Sequence, residues 1–135
     1  TFGKMLGCGK NGFSLVPDFS QYALLATWES VEAADTFYRS ELFLEYAHAA
    51  EEVYSLQLLP LMAHGLWEGQ NPFKSAVKPA SIPADVPMVV LTRATIRPQK
   101  LYAFWKHVPQ ARQSVQQSEG LLVAFGVGEM PVIHQ

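Results

Sequence analysis

Apolar and β-branched runs at two-residue spacing take turns along this chain with stretches whose apolar positions recur at helical spacing. Residues 88–96, Met88-Val-Val-Leu-Thr-Arg-Ala-Thr-Ile96, form a β-branched apolar run without a breaker and predict a strand. Along it Thr92, Ala94 and Ile96 point one way, and Leu91, Arg93 and Thr95 the other. Pro98 then sits where a first helical residue is expected, since its missing N–H removes nothing there. The helix it opens carries Phe104 and Trp105 and is expected to break at Pro109, because a proline disfavours the α region for Val108 before it. The glycine-bounded run of residues 120–129 predicts a closing strand.

The first half reads the same way. Residues 1–15 predict a strand ending in a glycine loop. Gly7-Cys8-Gly9-Lys10-Asn11-Gly12 matches G-x-G-x-x-G as a string, but Phe13-Ser-Leu-Val-Pro17 follows instead of a helix, so the dinucleotide reading fails. Residues 16–20 predict a turn and residues 22–28 a strand. Ser30 is an N-cap with Glu32 and Asp35 in the first turn, and Val31, Ala34, Phe37 and Tyr38 keep helical spacing. Ser40 caps a second helical piece through Leu42, Phe43 and Tyr46. Tyr54, Leu56 and Leu58 alternate as a strand until Pro60, and residues 61–67 continue as an edge strand or bulge.

Residues 69–87 hold Pro72, Pro79, Pro83 and Pro87 and read as a linker. The predicted division is therefore residues 1–70, a proline-rich linker at 71–87, and residues 88–135. Each half reads as strand, broken helix, strand, with Leu25-Ala-Thr-Trp28 echoed by Arg93-Ala-Thr-Ile96. This order predicts an α+β fold with helices on one face of a sheet.

Composition narrows the functions. Hydrophobic residues make up 49% of the 135 and charged residues only 16%, against about 25% in an average soluble domain. That balance predicts apolar surface for a ligand, another subunit or a membrane face. With net charge −2 and no Lys/Arg block, nucleic acid is excluded as an expected partner. No apolar run reaches the roughly 18 residues that span a bilayer, and no signal-peptide pattern is visible, so the cytoplasm is the expected compartment. The chain begins without Met and ends within the apolar Val132-Ile133 run, and it reads as cut at both ends. A zinc site has no support, because His48, His64, His107 and His134 form no H-x-x-x-H pair. Nor does hydrolysis, for want of a Ser/His/Asp set or a carboxylate dyad. A guanidinium at Arg93 needs a partner; a bound ligand, a structural ion pair and a solvated sheet face all satisfy it.

Phe2-Gly-Lys-Met-Leu-Gly-Cys-Gly9, Gly12-Phe-Ser-Leu-Val-Pro17, Tyr22-Ala-Leu-Leu-Ala-Thr-Trp28, Leu91-Thr-Arg-Ala-Thr-Ile-Arg97, Phe104-Trp-Lys-His-Val-Pro109 and Val127-Gly-Glu-Met-Pro-Val-Ile-His-Gln135 occur in this order. Together they resemble the spheroidene monooxygenase family, whose members act on acyclic carotenoids. The resemblance spans nearly the whole chain. It implies a tandem ferredoxin-like fold of the dimeric α+β barrel type, and members longer at both ends. It also implies an oxygenation that places hydroxyl, then keto, groups near the end of a polyene, with molecular oxygen as co-substrate and haem as cofactor. Cys8 stands where the resemblance leads one to expect Ser or Thr, and it reads as a small, loosely buried thiol rather than a thiolate ligand.

A haem needs one axial imidazole, and His134 is the histidine inside a family-like stretch, so it is the expected iron ligand or substrate contact. Its structural reading is a hydrogen-bonded histidine. Arg93 and Lys4 are the expected partners of haem propionates. Trp28, Phe104, Trp105 and Phe125, with Trp67, are the expected lining of an apolar tunnel for a polyene, and ordinary core is the alternative. The partners expected are a carotenoid or other apolar small molecule, a peripheral membrane contact and a second copy of the chain in a homo-oligomer. Two other functions fit the pattern: a non-catalytic haem- or apolar-ligand-binding module, and a partner subunit whose open sheet edge serves assembly.

Overall fold

The computed structural model describes residues 2–12, 14, 16–73, 83 and 85–129. It is an α+β structure that divides into two compact units. One comprises Thr1–Phe2 and Ala26–Leu91, the other Gly3–Leu25 and Thr92–Gln135.

The second unit is built on a sheet. Strands β1 (Phe2–Gly9) and β2 (Pro17–Thr27) are joined by a loop too short for a parallel crossover, and β3 (Val127–Glu129) adds on the other side, giving the order β2-β1-β3. The tips of β1 and β2 count with the first unit. The β1–β3 pair is antiparallel, with Leu6 opposite Glu129, Gly7 opposite Gly128 and Cys8 opposite Val127. Leu6 is 4% exposed and centres this unit's core. The loop turns on Asn11 (φ 58°) and Gly12 (φ 98°), a region that costs glycine least. It is closed by Gly12 N–H donating to Gly9 O at 3.1 Å and Lys10 N–H to Val16 O at 2.8 Å. The glycine string is thus a hairpin loop, as its lack of a following helix implies. The expected turn at residues 16–20 is instead largely strand. Pro17 is tolerated there because it opens β2.

A 3-10 turn, Pro98–Lys100, leads into helix α3 (Leu101–Gln116). Pro98 opens it as expected, but Pro109 does not break it. Its ring removes one ladder bond, the one the Trp105 carbonyl would accept, and the turns on both sides carry Val108 through in helical geometry.

In the first unit, α1 (Val31–Tyr38) starts at Ser30, whose hydroxyl accepts from Ala33 N–H at 3.2 Å. Helix α2 (Glu41–Ala49) starts at Ser40, whose Oγ accepts from Phe43 N–H at 3.3 Å and donates to Phe37 O at 2.6 Å. One serine thereby ends one helix and starts the next. Trp67 is buried beneath a tight turn. Glu68 and Gly69 both lie at positive φ, and Trp67 and Gln70 exchange backbone hydrogen bonds at 2.7 and 3.1 Å. Its indole meets Phe2 edge-on at 5.4 Å, and Phe2 N–H donates to Thr27 Oγ1 at 3.3 Å.

Two expected strands are missing from the ladder, and the closing strand expected at residues 120–129 is shortened to β3. Residues 53–58, 88–96 and 121–126 form no strand among the described residues. Their side chains are open to solvent, Tyr54 at 71% and Val90 at 86% exposure. The alternation of Tyr54, Leu56 and Leu58 encodes a face to be covered, but a strand exists only when another strand takes its N–H and C=O groups. Among the described residues, no helix is long and apolar enough to cross a membrane.

Candidate functional site

In the sheet unit the alternation of β1 puts Lys4, Leu6 and Cys8 on one face. The register adds Glu129 and Val127 to that face, directly across from Leu6 and Cys8. Arg93 closes onto it: its Nε donates to Glu129 Oε1 at 2.8 Å. The face therefore carries Lys4 on β1 itself and the Arg93–Glu129 ion pair. Sequence reasoning missed Glu129. It lies 36 residues from Arg93, and its one signal is a lone acid in an apolar, glycine-bounded run. The outcome for Arg93 is an ion pair, one of the three readings its sequence left open. At 34% and 39% side-chain exposure, such a pair holds geometry more than it stabilises, with exposed pairs worth about 0.2–1 kcal/mol.

Cys8, next along this face, has its thiol pushed up by burial and by the Asp18 carboxylate. It is held protonated, as the structural reading of this cysteine expects. Asp18 is itself held below the ordinary carboxylate range, first because Ser20 donates its hydroxyl to Oδ1 at 2.6 Å and then because Ser20 N–H donates to the same oxygen at 3.0 Å.

The aromatic candidates occupy different settings. Trp28, in the first unit, stacks on Phe37 with ring centroids 5.0 Å apart, and Phe37 in turn meets Phe43 at 5.4 Å and Tyr38 at 5.9 Å. That chain of rings glues α1 to α2. Phe104 and Trp105, neighbours on α3 in the sheet unit, meet edge-on at 5.3 Å and are half-buried. Phe125 is 60% exposed. A shallow, open depression on α2 is lined by Leu42, Glu45, Tyr46 and Ala49, all from one helix.

His134, the expected iron ligand, lies outside the described residues. The three described histidines are exposed. His64 Nε2 contacts Met62 Sδ at 3.0 Å, and His107 Nδ1 donates to Ala103 O at 2.7 Å. No group of three His, Cys, Asp or Glu side chains converges among the described residues. The Arg93 guanidinium already faces a protein carboxylate. Large apolar side chains also stand exposed among the described residues, Leu59 at 75% and Met88 at 75% among them.

Over 99% of its length the chain is 37% identical to a spheroidene monooxygenase of Rhodobacter capsulatus and 37% identical to one of Rubrivivax gelatinosus. It is 35% identical, again over 99% of its length, to a spheroidene monooxygenase of Cereibacter sphaeroides. It covers 56%, 52% and 41% of those proteins, so it spans about half the length of the curated relatives it matches. No family model matches the chain, and no solved structure does.

Proposed function

The chain belongs to the spheroidene monooxygenase family, and on that premise we propose that it acts in carotenoid biosynthesis, inserting oxygen as a hydroxyl and then a keto group near the end of an acyclic carotenoid. The observation that carries this reading is similarity running from end to end of the chain, not confined to one motif. Its aromatic and aliphatic surface is consistent with a polyene substrate. The length and shape of an apolar slot would set specificity, and each methylene would discriminate by about 1–3 kcal/mol.

The same reading carries molecular oxygen as co-substrate and haem as cofactor, and bound haem would supply the iron that activates oxygen. His134 is then the candidate axial ligand, with Arg93 and Lys4 near the propionates and Trp28, Phe104, Trp105 and Phe125 along the polyene. Arg93 would have to share its guanidinium with Glu129. A tandem ferredoxin-like fold of the dimeric α+β barrel type, assembled as a homo-oligomer, is the architecture that fits this reading. It is supported by the presence of an antiparallel sheet and of helices in the chain, and by large apolar side chains that stand exposed, such as Leu59 at 75% and Met88 at 75%.

The test is expression of the intact protein in a host that makes the acyclic precursor. The expected result is hydroxylated and ketolated carotenoid in the pigment extract. An unchanged pigment profile with soluble, folded protein present would overturn the proposal. Haem is tested separately by the Soret band of the purified protein, and its loss in His134→Ala alone would support ligation. An unchanged band in that variant would end the assignment.

A further inference from the structure

Charge divides along with the two compact units. The unit carrying the sheet and α3 holds seven Lys and Arg against three Asp and Glu; the other holds three against nine. The overall charge of −2 hides this. The positive excess is concentrated further still. Between Arg93 and Glu119 there is not one acidic residue, and the stretch contains Arg93, Arg97, Lys100, Lys106 and Arg112. Arg93 is engaged with Glu129. Arg97, Lys100, Lys106 and Arg112 are all exposed, on the 3-10 turn and on α3.

We propose that residues 97–116 dock the protein on an anionic lipid bilayer. Helix α3 has 16 residues and so runs about 24 Å. Its two cations, Lys106 and Arg112, and the two just before it, Arg97 and Lys100, thus lie within a few screening lengths of each other, at roughly 8 Å each in physiological salt, and they act on a charged surface together. Leu101, Phe104, Trp105, Val108 and Val115 fall on one side of the helix, with Lys100 at its margin and Arg112 within it; Leu101 and Val115 are exposed, and Phe104, Trp105 and Val108 are half-buried. Tyr102, 83% exposed, shares the opposite side with Lys106 one turn on. Aromatic and aliphatic residues bordered by Lys and Arg make up a helix that lies in a headgroup layer. The acidic unit is repelled by the same surface. A nucleic acid is a poorer fit, because the chain as a whole carries a net charge of −2.

The inference deepens the proposed function and rests on it for the setting: an acyclic carotenoid dissolves in the bilayer, and docking brings the protein to it. The test is co-sedimentation of the intact protein, without carotenoid, with phosphatidylcholine vesicles and with vesicles containing about one third phosphatidylglycerol. Binding is expected to the anionic vesicles only and to fall steeply as salt is raised. Each neutralised cation is expected to weaken it about fivefold, so Lys106→Gln with Arg112→Gln weakens it roughly 25-fold. Lys10→Gln, an exposed cation outside the segment, is the control and is expected to change it less than twofold. Circular dichroism checks that the variants remain folded. Equal binding to both vesicle types, no binding at low salt, or a double variant that binds like the parent would each overturn the inference. Turnover of detergent-dispersed carotenoid is measured in parallel, so a failure of docking and a failure of the enzymatic reading give different results.

Discussion

Replacing Gly9 by alanine tests the hairpin that presents the Lys4, Leu6 and Cys8 face. A Cβ built on Gly9 would lie 2.5 Å from Ser14 N, 2.5 Å from Ser14 O and 3.0 Å from Gly12 O. All three are backbone atoms, so no side chain can swing aside, and the loop itself must open. Opening it threatens the Gly12-to-Gly9 and Lys10-to-Val16 bonds, each worth about 0.5–1.5 kcal/mol net. Overpacking adds about 1–3 kcal/mol, and together with both bonds this gives a loss of roughly 2–6 kcal/mol. Gly3, in the same strand, is the control: nothing lies within 4 Å of its Cβ, and alanine there is expected to be neutral or stabilising by up to about 1 kcal/mol. Urea unfolding followed by circular dichroism reads the difference. At a slope of about 2 kcal/mol per molar, Gly9→Ala should lower the midpoint by roughly 1–3 M while Gly3→Ala leaves it in place. If Gly9→Ala unfolds within about 0.5 kcal/mol of the parent, the loop is not closed as described.

Ser40→Ala removes the acceptor for Phe43 N–H and the donor to Phe37 O. It should cost about 1–2 kcal/mol, read by thermal unfolding, whereas a change below about 0.3 kcal/mol would mean the two helices do not depend on their shared cap. A double-mutant cycle of Arg93→Gln and Glu129→Gln should give a coupling of about 0.2–1 kcal/mol that shrinks in high salt. A salt-insensitive coupling above about 2 kcal/mol would show a buried pair instead. Because the folded pKa of Cys8 is raised, its neutral form is favoured in the fold. The stability this contributes is present below the ordinary thiol pKa and is lost as pH rises through the folded value. Alkylation of Cys8 should therefore be slow at neutral pH and accelerate only at a pH above that of a free cysteine peptide; fast labelling at neutral pH would contradict the assignment.

The local signals were legible and the non-local ones were not. Ser30 and Ser40 announced both helix starts, because a cap is satisfied within three residues of itself. Gly7 to Gly12 was readable as a loop because no helix pattern follows it. Pro109 misled, since the rule for the residue before a proline ignores the turns already formed on either side. Tyr54, Leu56 and Leu58 carry a strand's alternation without saying what they pair with, and the same holds for residues 88–96. Arg93 was marked as needing a partner, but its partner depends on the β1–β3 register, which no window of sequence contains. Aromatic residues were the least legible. Trp28 and Trp105 look alike in sequence, yet one joins a chain of rings between two helices and the other stands half-buried on α3. The familial motifs, by contrast, were readable because they extend over the whole chain.

Oxygenation of a carotenoid is the central claim, and the origin of the inserted oxygen tests it most directly. Purified intact protein, a reductant and an acyclic carotenoid are incubated under isotopically labelled dioxygen, and the pigment is analysed by mass spectrometry. The account expects the hydroxylated product to carry the label at its new oxygen. A product whose oxygen comes from water, or a pigment recovered unchanged by folded protein, would contradict it.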